Sequence, residues 1–109
     1  MKDNLEPDSC AGKLGALASP ERLRIIRLLR EGPRNVGQIA DELGMKLVNV
    51  SHHLSVLLAA HLVCNQKQGR HVLYSLPPGA LQEGESGSTE HLDLGCCRLE
   101  IPKPDEGSE

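Results

Sequence analysis

The chain has no phenylalanine, no tryptophan and a single tyrosine, Tyr74. Platforms that stack single-stranded nucleic acid need several aromatic side chains, so that class of function is excluded. The core must be aliphatic, and leucine is its chief supplier, with 18 copies in 109 residues. No apolar run reaches the roughly 18 residues that a membrane span needs. The first ten residues, MKDNLEPDSC, are acidic and lack the apolar segment of a secretory signal, so a cytoplasmic chain is expected. There is no Cys-x-x-Cys spacing, which argues against a dedicated thiol-redox or metal-handling protein. There is no nucleophile elbow either, and a chain this short leaves little room for a substrate pocket. Enzymatic activity and a required cofactor are therefore not expected.

The charge that is present is unevenly spread. The net charge is −3, but residues 20–78 hold eight Lys and Arg against four Asp and Glu. Residues 79–109 hold two basic residues against eight acidic ones. A basic folded segment with an acidic tail fits one small domain better than two. The expected division is a disordered start at 1–9, a folded unit over 10–79, and an acidic Gly/Ser-rich linker and cysteine-bearing tail over 80–109.

Local signals place the elements. Cys10 to Ala18 has the character of a short helix. Ser19-Pro20-Glu21 combines an N-cap, a proline at the first helical position and an early acid, a strong start signal. The following ERLRIIRLLR is amphipathic, with Arg22, Arg24, Arg27 and Arg30 on a basic face whose plainest role is to be solvated. Asn35 and Gln38 have capping-box spacing, and Gly44 ends that helix. A further helix to about Ala60 carries Val50, Leu54, Leu57 and Leu58 on one stripe. LVCNQ and HVLYSL then read as a β-hairpin turning at Lys67-Gln68-Gly69-Arg70. Pro77-Pro78-Gly79 is expected to close the unit, and 80–90 to be a flexible linker. The later HLDLGCCRLEIP has a more ordered composition, with a period too short to assign.

A short helix, a turn with Gly44 and a second helix make a helix-turn-helix signature. The second helix opens with exposed, hydrogen-bonding residues: Asn49, Ser51, His52 and His53. Such side chains reach base edges and phosphates when a helix N-terminus enters a major groove. One of the two adjacent histidines is expected to face DNA and the other the helix flank, since neighbours diverge by about 100°. Lys46 adds charge, and Leu47 or Val48 can touch thymine methyls. Lys67, Gln68 and Arg70 sit near the hairpin tip, where a basic wing meets backbone or minor groove. The competing reading is a winged helix that binds protein instead of DNA.

LASPERLRIIRLL, VGQIADELG, NVSHHLSVLLAAHLV and QGRHVLYSL resemble the ArsR/SmtB winged-helix repressors over roughly residues 14–76. The resemblance implies a mainly α fold with a small β-hairpin, the winged helix-turn-helix. It also implies a homodimer on double-stranded, inverted-repeat operator DNA that is released by an effector. The chain departs from the family in four places. Residues 35–38 carry no cysteine, where arsenic sensors often have a pair. Lys46 replaces the usual Ser or Thr cap, and His61 replaces the usual terminating glycine. The long last helix, which in most members builds the dimer and hosts a zinc site, is replaced by Pro/Gly/Ser-rich sequence.

Four cysteines remain: Cys10, Cys64, Cys96 and Cys97. In a cytoplasmic chain they are expected as thiols, metal ligands or redox sensors instead of a disulfide framework. Cys64, on the first hairpin strand, is expected to be a small buried thiol. A disulfide between the neighbours Cys96 and Cys97 would be strained. As adjacent thiolates they suit a soft ion such as As(III) or Sb(III), with a third sulfur from Cys10 or Cys64 of either subunit. A thiol redox switch, or no sensing role, are the alternatives.

Overall fold

The computed structural model describes residues 7–83, 87 and 89–102. Helices come first: α1 Pro7–Leu17, α2 Pro20–Leu29, α3 Val36–Leu43 and α4 Leu47–Ala59. Strands follow: β1 Cys64–Gln68, β2 His71–Ser75, β3 Leu81–Glu83, β4 Thr89–Asp93 and β5 Arg98–Pro102. β1 and β2 form an antiparallel hairpin, and β3, β4 and β5 an antiparallel meander with β4 central.

The helix starts follow the sequence signals. Ser19 is extended, and its hydroxyl accepts the Arg22 N–H at 3.3 Å with Pro20 beside it. Asn35 and Gln38 cap reciprocally: Asn35 Oδ1 accepts the Gln38 N–H at 2.8 Å, and Gln38 Oε1 accepts the Asn35 N–H at 2.9 Å. Gly44 takes φ +65 and ψ +37, a left-handed turn that a Cβ disfavours, and so ends α3. Lys46 gives α4 no side-chain cap. His61 has φ 63, the one positive φ outside glycine among the described residues. That conformation costs about 1–2 kcal/mol in an L residue. The Leu62 N–H closing onto Leu57 O at 2.9 Å and the burial of Leu62 and Val63 hold it in place.

One aliphatic core joins all layers. Ile25, Ile26 and Leu29 of α2 meet Ile39 of α3 and Val50, Leu54 and Leu57 of α4, with Ala16 and Leu17 of α1 alongside. Each buried Ile, Leu or Val side chain among these contributes about 1.5–3 kcal/mol by leaving water. The wing is tied to the α2–α3 loop: Arg34 and Tyr74 exchange backbone bonds at 3.0 and 2.8 Å. The Arg34 guanidinium also reaches Glu42 of α3 at 2.9 Å and the Gly32 carbonyl at 3.0 Å.

The structure differs from expectation on both flanks. α1 begins at Pro7, so residues 7–9 are helical; residues 1–6 lie outside the described residues. The linker expected over 80–90 includes β3 and the start of β4; residues 84–86 and 88 lie outside the described residues, as do 103–109. Chain continues past Pro77-Pro78-Gly79 into the same core, because Ala80, Leu92 and Leu94 are apolar and packed in its cluster. The Asp93 N–H bonds Ala80 O at 2.8 Å. Gly95, at φ 90, lets the β4–β5 turn fold back so that the Leu94 N–H reaches Cys97 O at 2.9 Å. The pairing of three short strands, and no periodicity within any one of them, creates this layer.

Candidate nucleic-acid interface and thiol cluster

The leading end of α4 is uncovered. Lys46, Asn49, Ser51 and His52 are exposed, and Leu47 and Val48 are 59% and 71% exposed. Val50 and Leu54 point the other way into the core, at 0% and 1%. Leucine and valine this open at the start of a helix are free to meet apolar partners, and thymine methyls are such partners in a major groove. Ser51 also lends its carbonyl to the Ser55 hydroxyl at 3.1 Å.

His52 and His53 separate as the helix geometry requires, with ring centroids 5.9 Å apart. His52 is exposed. His53 is half-buried on the flank, where its Nδ1 accepts from Arg22 Nε at 3.2 Å. Burial first, and the Arg22 charge second, hold His53 below its usual imidazole value. At the start of α2, Glu21 sits below the usual carboxylate range. Its own backbone N–H is the main cause, followed by the Ser19 hydroxyl.

The wing carries Lys67 and Gln68 at the end of β1 and Arg70 in the turn, all exposed. Lys67 pairs in register with Val72, and Gln68 with His71. Gly69, at φ 61, makes the tight reversal.

The cysteines sort differently from expectation in two respects. Cys64 is exposed on β1, because that strand packs no face against the core. Cys10 and Cys96 are joined by a disulfide, although the sequence reads all four cysteines as thiols or ligands. Packing of the C-terminal sheet beside α1 brings together residues 86 apart in sequence. Cys97 keeps a free thiol, with its Sγ 3.6 Å from Cys10 Sγ and 3.9 Å from Cys96 Sγ. The three sulfurs lie within 4.8 Å of one another, the one such group of metal-capable side chains among the described residues. Three clustered sulfurs suit a soft, thiophilic centre once all are thiolates. In the disulfide form two of them are spent.

Three side chains make contacts that had no sequence signal. Lys13, 9% exposed, donates its Nζ to Leu94 O at 2.9 Å. Arg22 and Arg34 counted only as members of a basic segment, yet each bridges elements through its guanidinium. The placement of α1 and the C-terminal sheet reveals the roles of Lys13 and Arg22, and the packing of the α2–α3 loop on α3 reveals that of Arg34.

The family model for the bacterial regulatory protein, arsR family, matches residues 19–64. The HTH-type transcriptional regulator NmtR of Mycobacterium tuberculosis is 41% identical over 88 residues, which cover 78% of this chain and 73% of that protein. This chain belongs to the arsR family of bacterial regulatory proteins. The transcriptional repressor SdpR of Bacillus subtilis is 32% identical over 80 residues, covering 73% of this chain and 89% of that one. Among solved structures, the homodimeric winged helix-turn-helix DNA-binding domain of Mb0332 from Mycobacterium bovis superposes with TM-score 0.62 at 36% identity. That match covers 63% of this chain and 64% of the other. The arsR-family chain is thus a winged helix-turn-helix transcriptional regulator with a DNA-binding domain. Its fold is mainly α with a β-hairpin wing, as the motifs implied, and the C-terminal three-stranded sheet is added to it. Among the described residues no helix is long and apolar enough to cross a membrane.

Proposed function

We propose that this arsR-family chain acts as a cytoplasmic homodimeric repressor of an inverted-repeat operator. Two copies would set their α4 helices about 34 Å apart in successive major grooves. Asn49, Ser51 and His52 serve as base and phosphate contacts, Leu47 and Val48 as thymine-methyl contacts, and Lys46, Lys67, Gln68 and Arg70 as backbone contacts. His53, engaged by Arg22, orients the helix and does not read bases directly. The observation that carries this reading is the open leading end of α4, with its two large apolar side chains in water beside a polar row. The homodimeric Mb0332 domain supports the dimer.

The proposal extends to control. Cys10, Cys96 and Cys97 in their reduced form hold As(III), Sb(III) or another soft ion, and the ordered tail then lowers operator affinity. A second reading rests on the Cys10–Cys96 disulfide itself: oxidation of the same sulfurs supplies the signal without a metal.

The test is binding to duplex DNA from upstream of the chain's own coding sequence, with arsenite, zinc, cadmium or peroxide added. Salt-dependent binding that one of the thiol-directed agents weakens is the expected result. The absence of duplex binding sinks the repressor reading. A Cys96→Ser, Cys97→Ser variant should bind DNA like the parent and lose the response, a coupling of about 1–3 kcal/mol. A variant that still releases DNA with the same agent removes these sulfurs from the mechanism.

A further inference from the structure

Cys10 lies on α1 and the DNA-reading residues lie on α4, and one side chain of α2 touches both helices. Arg22 Nη1 donates to the Ala16 carbonyl in the last turn of α1 at 3.0 Å, and Arg22 Nε donates to His53 Nδ1 on α4 at 3.2 Å. The sequence arranges the first of these bonds. The helical partner of the Ala16 carbonyl would be the N–H of residue 20, and Pro20 has none, so the carbonyl is left for a side chain. Arg22 leaves a fixed base, because its own N–H is held by the Ser19 cap.

α1 is fastened at its other end to the sulfur-bearing turn. Cys10 is bonded to Cys96, and one turn later Lys13 Nζ donates to Leu94 O at 2.9 Å in a buried position. α1 is thus an 11-residue rod with thiol chemistry in its first turns and a clamped carbonyl in its last.

We propose that Arg22 is a positioning residue that carries the state of the Cys10–Cys96–Cys97 cluster, through α1, to His53 and the reading helix. The proposal rests on the sulfurs being the control site. A guanidinium is a rigid planar fork, so its two bonds are geometrically linked. A displacement of the Ala16 carbonyl changes the aim of Nε at His53. Lysine, with a single flexible ammonium, makes no such link. An imidazole that accepts at Nδ1 carries its proton at Nε2, so Arg22 also fixes which face of His53 donates. Glu21 and His52 are the other charged or titratable groups acting on this ring.

The experiment compares the full chain in its disulfide state with the chain reduced by a water-soluble phosphine. In that reduction the phosphine and one water become phosphine oxide, and the Cys10–Cys96 bond takes two electrons and two protons to give two thiols. Operator affinity is measured in both states, and the His53 ring nitrogens are followed by NMR across pH. In the parent, affinity should differ between states by about fivefold or more, the lower range of allosteric coupling, and the His53 signals should move with it. In Arg22→Gln the difference between states should fall below about twofold, while the tighter-binding state keeps affinity within about threefold, because the DNA-contacting residues are untouched. His53→Ala cuts the other end of the link and should uncouple equally, which covers the case in which Arg22→Gln does not fold. If both variants keep the full parental response, or if affinity responds while the His53 signals stay still, Arg22 is not the link and the sulfur reading survives. If the parent shows no change in affinity on reduction or with arsenite, the sulfur reading fails and this proposal falls with it.

Discussion

The helical part of this chain, from Ser19 to Val63, and the C-terminal sheet, from Ala80 to Pro102, are held together in different ways. The helices have caps at Ser19 and Asn35, a left-handed stop at Gly44, and three buried side chains on each of α2 and α4. The sheet contributes Ala80, Leu92 and Leu94 to the core, packs partly buried Leu81, Leu99 and Ile101 against it, and is joined to the helices by specific side-chain links. Among the described residues these links include the Cys10–Cys96 disulfide, the Lys13 bond to Leu94 O, and an ion pair from Arg30 Nε to Glu90 Oε2 at 2.7 Å. An element held largely by side-chain links and partly buried contacts can loosen while the helical part stays folded, which is what the proposed control would require. The thiol cluster sits at one of those points of attachment.

The largest effect that tests this contrast is in the core. Leu54→Ala should lower global stability by about 2–5 kcal/mol in urea unfolding. Leu92→Ala removes an equally buried leucine, but its cost should appear as lost hydrogen-exchange protection confined to 80–102 and the start of α1. Equal global losses for the two variants would make the sheet part of one cooperative unit and remove the contrast. Lys67→Ala with Arg70→Ala should weaken binding to all duplexes and lower the salt slope by about 0.9 for each phosphate that is no longer neutralised. Unchanged affinity would take the wing off the DNA. Asn35→Ala removes half of the capping box and should cost about 1 kcal/mol in thermal or urea unfolding, with no effect on the sheet.

The smallest expected effect is on pH. His53 in the folded chain lies below its usual value near 6.5, so the unfolded chain binds the proton more readily. The stability from neutral His53 is present above about pH 6.5 and is lost as pH falls through the lower folded value. His53→Asn should flatten urea-unfolding stability over that range. An unchanged slope would mean that His53 titrates alike in both states.

Much of the helical half was legible because its signals are local. Ser19-Pro20, Asn35 with Gln38, Gly44, and the stripe Val50, Leu54, Leu57 each act within a few residues, where backbone geometry alone sets the pattern. At His61, which stands where the family usually has a terminating glycine, the sequence left open a left-handed residue or a different exit, and the structure takes the left-handed one. The wing was legible through Gly69 and two runs of β-formers. The sheet was not, since a three-residue strand such as Leu81–Glu83 has no periodicity to read and exists only once β4 lies beside it. Cys64 reads as a buried thiol, but its strand faces water on both sides. The sequence left the sulfur partner of Cys96 and Cys97 open between Cys10 and Cys64 of either subunit, and the approach of the tail to α1 brings Cys10 beside them.

By itself the sequence determined where the helices begin and stop, which side of α4 is oily and which is polar, and that the hairpin tip is basic. Caps, glycine turns and side-chain period act over distances shorter than one element, so no distant residue is needed to decide them. The tertiary structure alone decided that 86 residues of chain close on a knot of three sulfurs. It also decided that Arg22 spans two helices and that the tail becomes a sheet, because these arise from faces meeting in space and leave no mark on any single stretch of chain.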